Sequence, residues 1–164
     1  MKFVNEGGTM VSWGLSTGLF FGPQSIKISE KEKEEFQLPI SDISPALNKK
    51  GLYAPGSLLN INLNVDHPLT LGMQKTAKVF SRGRPVFSTS IPYFDTDRRV
   101  IASYPDDKVL SSGYAAQDEL LENKSAMVWV KKGKGQFVFY GFYPQFRAST
   151  SGTYKLLFNA LLLK

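Results

Sequence analysis

Residues 14–18, with the sequence GLSTG, match the pattern G-x-S-x-G, in which a serine on a sharp strand-to-helix turn acts as a nucleophile. A triad built on Ser16 would need His67 as its base, with Asp42 between the two in the chain. Such a serine also needs a helix directly after it, yet a Gly-Pro pair follows at 22–23. Two hypotheses remain: a Ser-dependent hydrolase using Ser16 and His67, or a glycine-rich turn without chemistry, which we favour.

His67 is the single histidine of the chain and lies in the segment Asp66-His67-Pro68. A histidine can serve as a general base because its pKa lies near neutrality. Pro68 fixes a turn, however, and Asp66 can accept bonds from nearby amides. The segment is therefore interpreted as a structural turn rather than as half of a catalytic pair.

The chain offers few ligands for a metal. It contains no cysteine, which excludes disulfides, thiolate metal sites and cysteine nucleophiles. One histidine with carboxylates is a poor ligand set for zinc. The acidic residues of two loops are not spaced like the ligands of an EF-hand and are interpreted as solvated; they are Asp95, Asp97, Asp106 and Asp107. We therefore predict no metal and no cofactor in this chain.

The segment 143–147 (YPQFR) is the third candidate site. It follows a predicted strand and precedes a predicted helix, the position at which open α/β sheets hold ligands. Arg147, with Gln145 beside it, could bind a small anion at the start of that helix. The alternative is that Arg147 pairs with a carboxylate or with loop carbonyls and holds the loop in place, so that its loss would lower stability.

Composition indicates one globular domain over residues 1–164, with 42% hydrophobic and 21% charged residues. No apolar run is long enough to span a membrane, and the first residues show no apolar signal-peptide core. The net charge is +6, but the basic residues are scattered. Their one dense group, 131–134 (KKGK), is typical of a hairpin turn, so we predict no nucleic-acid binding.

The elements predicted around these residues form a mixed sheet with few helices. A helix ends over residues 3–8 at a glycine cap, and residues 14–28 form a loop. Residues 29–32 (SEKE) read as a capping box that opens a short charged helix. The predicted strands are 9–13, 57–63, 84–91, 98–104, 109–114, 126–131 and 136–142, the last two forming a hairpin.

A final amphipathic helix should cover one face of this sheet. Its apolar residues recur at helical spacing and predict deep packing; they are Tyr154, Leu157, Phe158, Leu161 and Leu162, widened by Leu156, Ala160 and Leu163. Ser149, Thr150 or Ser151 could cap its first turn.

An ordered set of short motifs resembles the class I glutamine amidotransferase-like domain at the C-terminal end of bacterial zinc carboxypeptidase-like proteins of the carboxypeptidase A type. Each motif is weak, but together they span the chain in the family's order. They are 3–11 (FVNEGGTMV), 53–59 (YAPGSLL), 67–72 (HPLTLG), 112–114 (SGY), 133–135 (GKG), 141–147 (GFYPQFR) and 155–160 (KLLFNA).

This resemblance implies an α/β fold of the amidotransferase and flavodoxin-like kind, truncated at its N-terminal side, with the C-terminal helix packed on a β-rich sheet. It also implies a non-catalytic accessory or binding domain, because amidotransferases use a cysteine that this chain lacks. The zinc site of the parent metallocarboxypeptidase would lie in an upstream domain. That peptidase domain, or a second copy at an open sheet edge, is the expected partner, and a peptide or glycan the possible ligand. The implied location is periplasmic or extracellular.

Overall fold

The computed structural model describes residues 2–27 and 33–163. Its helices are α1 (Lys2–Asn5), α2 (Ser44–Lys49) and α3 (Tyr154–Leu162). Short 3₁₀ helices occur at Gly14–Phe20, Pro68–Thr70, Asp118–Leu121, Phe146–Ala148 and Ser151–Thr153. The strands are β1 (Thr9–Trp13), β2 (Pro23–Lys27), β3 (Lys33–Gln37), β4 (Ile40–Asp42), β5 (Ser57–Leu63), β6 (Thr76–Ser81), β7 (Phe87–Thr89), β8 (Thr96–Ser103), β9 (Leu110–Ser112), β10 (Ser125–Lys132) and β11 (Gly135–Tyr140).

The described strands form one large sheet and one small hairpin. The large sheet runs in the order β1-β11-β10-β8-β5-β6, with β4, β7 and β9 attached at its sides, while β2 pairs only with β3. β1 and β11 are parallel, and the other pairs are antiparallel. An isolated bridge from Phe80 to Tyr143 brings the chain just after β11 against the far edge strand β6. The chain is thus a mixed α/β fold with a curled, mostly β sheet and a C-terminal helix.

The predicted hairpin of the last two strands is confirmed, and both β10 and β11 have neighbouring strands on each side in the sheet. Every residue of β11 is buried, and its side chains alternate between two apolar layers. Phe137 and Phe139 point into a layer with Val128 and Val130, and Val138 and Tyr140 point into the other. The turn after Lys132 uses Gly133 at a φ of 57°, which a glycine adopts without strain.

The prediction of strand 57–63 is also confirmed. Leu59, Ile61 and Leu63 are buried, and the asparagines between them are more exposed, as alternation requires. Strand 9–13 is confirmed as well. The glycine cap after α1 is confirmed at Gly7, which has a φ of 101°.

The packing predicted for α3 is partly wrong. The helix is anchored by Leu156 and Ala160, and Tyr140 Oη donates to the carbonyl of Leu156 at 2.8 Å. Phe158, Leu161 and Leu162 are more than half exposed. The curled sheet meets only a narrow stripe of the helix, so half of the apolar face stays in solvent.

The predicted cap of α3 is also wrong. No side chain caps its first turn. Thr150 Oγ1 donates to the carbonyl of Lys78 on β6, and Thr153 Oγ1 donates to the carbonyl of Pro144. These bonds hold the loop before α3 against the sheet. The two hydroxyls are therefore already engaged and do not cap the helix.

Several other boundaries differ from the prediction. Residues 14–28 were expected to be a loop, but they contain a 3₁₀ helix and β2. The proposed capping box at 29–32 lies outside the described residues, and the positions that follow it form β3. β6 was missed, and the strand predicted at 84–91 shrinks to β7, since Pro85 and Pro92 flank it. The strand predicted at 109–114 shortens to β9, and the one predicted at 98–104 begins two residues earlier in β8.

None of the described helices is both long enough and apolar enough to cross a membrane.

Candidate functional site

Ser16 lies on the exposed side of the 3₁₀ helix that follows β1. Its hydroxyl donates to the carbonyl of Trp13 at 2.7 Å and lies 2.7 Å from the hydroxyl of Ser12. Ser12 is buried, with 4% of its surface exposed. Both contacts are local, and they are what a serine in a tight turn makes to complete the hydrogen bonds of its own backbone.

His67 lies on the other face of the sheet. Its ring centre is 5.3 Å from that of Trp129, which pairs with Val138, whereas Ser12 pairs with the adjacent Phe139. Adjacent residues of a strand point to opposite faces, so the sheet separates this histidine from Ser12 and from Ser16, whose hydroxyl contacts that of Ser12. The structure therefore does not bring Ser16 and His67 together.

The imidazole of His67 is held in a turn. Its Nδ1 accepts a bond from the amide of Leu69 at 3.2 Å. Burial lowers its pKa below the ordinary value; the charge of Arg99 lowers it further, and Asp97 opposes the change. This is the turn role that the Asp66-His67-Pro68 segment predicted.

Asp42 is committed to the backbone. One carboxylate oxygen accepts the amide of Ser44 at 2.8 Å and the amide of Val86 at 3.1 Å. These bonds connect the start of α2 to the segment before β7. The three residues of the proposed triad thus occupy three separate places, and each has a structural role.

A cleft opens at the carboxyl ends of the two parallel strands, β1 and β11. Gly14 follows β1 and Tyr143 follows shortly after β11. Gly14 has a φ of 57°, and a Cβ at this position would lie 3.0 Å from the ring of Tyr143. A glycine is therefore required here, since it lets the backbone after β1 approach the ring of Tyr143 closely.

The cleft has a volume of about 670 Å³. Arg82 and Arg84 line it from the segment after β6, and Tyr53, Asn48 and Tyr143 line it from three other parts of the chain. No carboxylate is among its lining residues. Both arginines are exposed, and among the described residues no carboxylate lies within 4 Å of either guanidinium. The cleft consequently presents two unneutralised cations beside aromatic and amide groups.

Aromatic rings position one of these cations. The guanidinium of Arg82 lies 6.0 Å from the ring centre of Tyr143 and 5.9 Å from that of Phe146. Phe146 in turn stacks on Phe80, with ring centres 4.1 Å apart and planes 5° apart. Such cation–π contacts hold a guanidinium over a ring without using its hydrogen-bond donors.

Arg147 and Gln145 lie beside this cleft rather than in it. Both are exposed, and Arg147 contacts the same ring of Phe146 at 5.5 Å. In the described parts of the chain Arg147 makes none of the carbonyl or carboxylate bonds expected of an arginine that holds a loop in place. Arg147 and Ala148 both have positive φ, 45° and 57°, which is unfavourable for residues with a side chain.

A second depression contains a paired cation instead. Lys132 is buried and its ammonium bonds to Asp95 and, at 2.6 Å, to Glu34, while Phe36 lies 5.1 Å away. Burial alone would lower the pKa of Lys132, but the bonds to Asp95 and Glu34 outweigh it and raise the pKa. The bond from Lys132 lowers the pKa of Asp95, against an opposing contribution from burial. This group ties the β2–β3 hairpin to the loop before β8.

The other candidate acids are Asp97, Asp106 and Asp107. Asp97 lies 3.9 Å from Arg99, and Asp106 and Asp107 are exposed in a loop. Over residues 2–27 and 33–163, no group of three potential ligands is placed to hold a metal ion.

Comparison with known proteins gives little information about this chain. No protein-family model and no curated protein matches this chain. One solved structure with a similar arrangement is the β-galactosidase from Bacillus circulans sp. alkalophilus, with 14% identity and a TM-score of 0.48 over 98% of this chain and 19% of that one. A likeness of this size supports no inference about function.

Sequence reasoning missed Arg82, Arg84 and Tyr53 as site residues. The signal was present in residues 82–85 (RGRP), where two like charges flank a glycine with no acidic residue nearby. What the sequence could not show is that this segment meets Tyr143, since the contact depends on the bridge between Phe80 and Tyr143, which are 63 residues apart in the chain.

Proposed function

We propose that this chain is a non-catalytic binding domain that holds a carboxylate-bearing ligand in the cleft of Arg82 and Arg84. The observation that carries the proposal is the convergence of two unpaired guanidinium groups with Tyr53 and Tyr143 in one cleft without acidic residues. A guanidinium matches a carboxylate with two parallel hydrogen bonds, and tyrosine rings supply apolar contact next to it.

The position of the cleft supports the same proposal. In open α/β sheets, ligands bind beyond the carboxyl ends of the parallel strands, which is where β1 and β11 end here. The motifs alone carry the further proposal that the fold is of the amidotransferase and flavodoxin-like kind. On that resemblance we propose that the domain accompanies a secreted zinc carboxypeptidase-like protein, whose peptidase domain would be its partner.

The small-anion hypothesis for Arg147 is absorbed into this proposal. Arg147 and Arg82 contact the same ring of Phe146, so Arg147 adds positive charge at the rim, while Arg82 and Arg84 line the cleft. The Ser16 hydrolase hypothesis has no comparable support, because His67 lies across the sheet from the serine. Its test is a fluorophosphonate probe, which should not label Ser16.

Calorimetric titration tests the proposal with three probes: a short peptide with a free α-carboxylate, the same peptide amidated, and an oligogalacturonide. We expect one of the two carboxylate-bearing probes to bind and the amidated peptide not to bind. The pair Arg82→Ala/Arg84→Ala should abolish this binding. The matched control is Lys131→Ala/Lys134→Ala, which removes the same charge from exposed residues at the opposite end of β11. Equal loss in the control, or no binding by either carboxylate probe, would contradict the proposal.

A further inference from the structure

The outer edge of β1 has no partner strand in the described part of the chain. The amide of Gln136 on β11 donates to the carbonyl of Gly8 at 3.1 Å, and Thr9 pairs with Gln136 in the parallel register. In a parallel ladder every second residue bonds to the neighbouring strand. Met10 and Ser12 therefore bond to β11, and the residues at 9, 11 and 13 direct their amides and carbonyls away from it.

The opposite edge of the sheet is covered. On β6, the carbonyl of Phe80 accepts the amide of Tyr143 at 2.9 Å, and the carbonyl of Lys78 accepts Thr150 Oγ1 at 2.8 Å. The loop before α3 thus occupies the edge where another strand could add. Within residues 2–27 and 33–163, no segment pairs with the outer side of β1 in this way, although open edges are usually protected by charge, proline or a covering segment.

The β1 edge also lies in a segment without charge. Residues 7–26 are twenty consecutive positions with no Asp, Glu, Lys, Arg or His, in a chain of which 21% is charged. Depletion of charge distinguishes the centre of a protein–protein interface from ordinary surface. Because each chain carries a net charge of +6, two copies repel least where they meet through such a segment.

Exposed leucines flank the edge. Leu15 and Leu19, in the 3₁₀ helix after β1, are 71% and 75% exposed. On α3, Asn159 donates to carbonyls of the turn at residues 69–71, so the opposite flank of the helix, with Leu161, lies on the β1 side. Leu161 is 65% exposed.

We infer that the β1 edge is a self-association site, at which a second copy of this chain adds its own β1 in antiparallel orientation. A two-fold axis at Val11 sets Val11 opposite Val11 of the second copy and Thr9 opposite Trp13. All three are residues that direct their backbone groups outward, so the two Val11 residues exchange both hydrogen bonds. The carbonyl of Trp13 already accepts Ser16 Oγ and the first amide bond of the 3₁₀ helix, so each Thr9–Trp13 pair contributes one bond, from the amide of Trp13 to the carbonyl of Thr9. The two sheets become one continuous sheet, and the leucines beside the edge are buried.

Sedimentation velocity over a range of concentrations tests the inference. The wild-type chain should reach twice its mass of 18.3 kDa. Val11→Pro should sediment as the monomer with an unchanged circular dichroism spectrum, because the amide it removes is not used in the β1–β11 ladder. A wild-type monomer at every concentration overturns the inference, as does a Val11→Pro variant that is folded and still dimeric.

Disulfide trapping gives a test that does not depend on the proline variant folding. The chain has no cysteine, so a single introduced thiol can cross-link only to its copy. Facing residues of an antiparallel pair lie within disulfide range. Val11→Cys should therefore cross-link under mild oxidation, and Thr76→Cys on the covered edge strand β6 should not. Failure of Val11→Cys, or equal cross-linking of both variants, contradicts the inference.

Discussion

The depression around Lys132 and the cleft of Arg82 and Arg84 both contain basic side chains, and they differ in what surrounds the charge. Lys132 is buried between Glu34 and Asp95, which neutralise it. Arg82 and Arg84 are exposed in a cleft that has no acidic lining residue, and aromatic rings hold one of them in place. A cation that already has its carboxylates contributes to stability, whereas converging cations without them are free to bind a ligand that supplies one.

The largest effect is expected on ligand affinity, when an acid is placed beside the cations of the cleft as Glu34 and Asp95 are placed beside Lys132. Arg82→Glu places a carboxylate beside Arg84 and removes one of the two cations. We expect the affinity for the carboxylate-bearing probe to fall about 100-fold, close to 3 kcal/mol, since charged hydrogen bonds contribute about 1.5–3 kcal/mol each. The melting temperature should stay the same. Calorimetric titration and a thermal melt measure the two quantities, and retained affinity would show that the cleft is not the binding site.

A loss of about 1–2 kcal/mol in the free energy of unfolding is expected when the charge of Lys132 is removed. Lys132→Met keeps the buried apolar stem and removes the charge from between Glu34 and Asp95. Both acids are nearly half exposed and regain solvent, so the cost stays below that of a fully buried pair. Urea denaturation measures it, with the exposed neighbour Lys131→Met as the control, for which a change below about 0.5 kcal/mol is expected. Equal effects in the two variants would mean that the pairing of Lys132 contributes nothing.

A smaller change, a gain of about 1 kcal/mol in the free energy of unfolding, is expected from replacing Arg147 at the rim of the cleft. Arg147 has a φ of 45°, a left-handed conformation that costs roughly 1–2 kcal/mol for residues other than glycine. Arg147→Gly should therefore raise the free energy of unfolding, and Arg147→Ala should not. If Arg147 instead holds the loop in place, both substitutions lower stability, which chemical denaturation would detect.

The smallest expected effect is a change in acid stability. The pKa of Asp95 is lowered in the folded protein, so its contribution is present above its unfolded value of 3.8 and is lost as the pH falls through the folded value. The raised pKa of Lys132 acts at the other limit, since its contribution is lost only as the pH rises beyond 10.5. Stability of the wild type should thus decline below about pH 4 more than that of Asp95→Asn. An equal loss of stability with falling pH in the two proteins would contradict this role of Asp95.

Much of the sheet was predictable because its central strands show their burial in sequence. Leu59, Ile61 and Leu63 alternate with asparagines, and the β10–β11 hairpin has apolar strands on both sides of a glycine turn. β6 was missed because only Val79 and Ser81 are buried along it. Its strand conformation is decided by neighbours distant in the chain, and no local pattern reports them.

The sequence predicted only part of the candidate site. Position relative to a strand end selected the segment after β11, from which Tyr143 lines the cleft. The sequence pointed to Arg147, whereas the cleft is lined by Arg82 and Arg84, because sequence position cannot show which guanidinium enters a cleft. That depends on the curl of the sheet, which brings Phe80 and Phe146 into contact across more than sixty residues of chain.

The contact between the rings of His67 and Trp129 provides an intrinsic fluorescence probe. A protonated imidazole quenches the fluorescence of an adjacent indole, so the emission of Trp129 should drop as His67 takes up a proton. The chain has one histidine and two tryptophans, and the other, Trp13, lies on the edge strand β1. Emission from an unlabelled sample would therefore follow two events separately: a titration with pH at Trp129, and a change with protein concentration at Trp13.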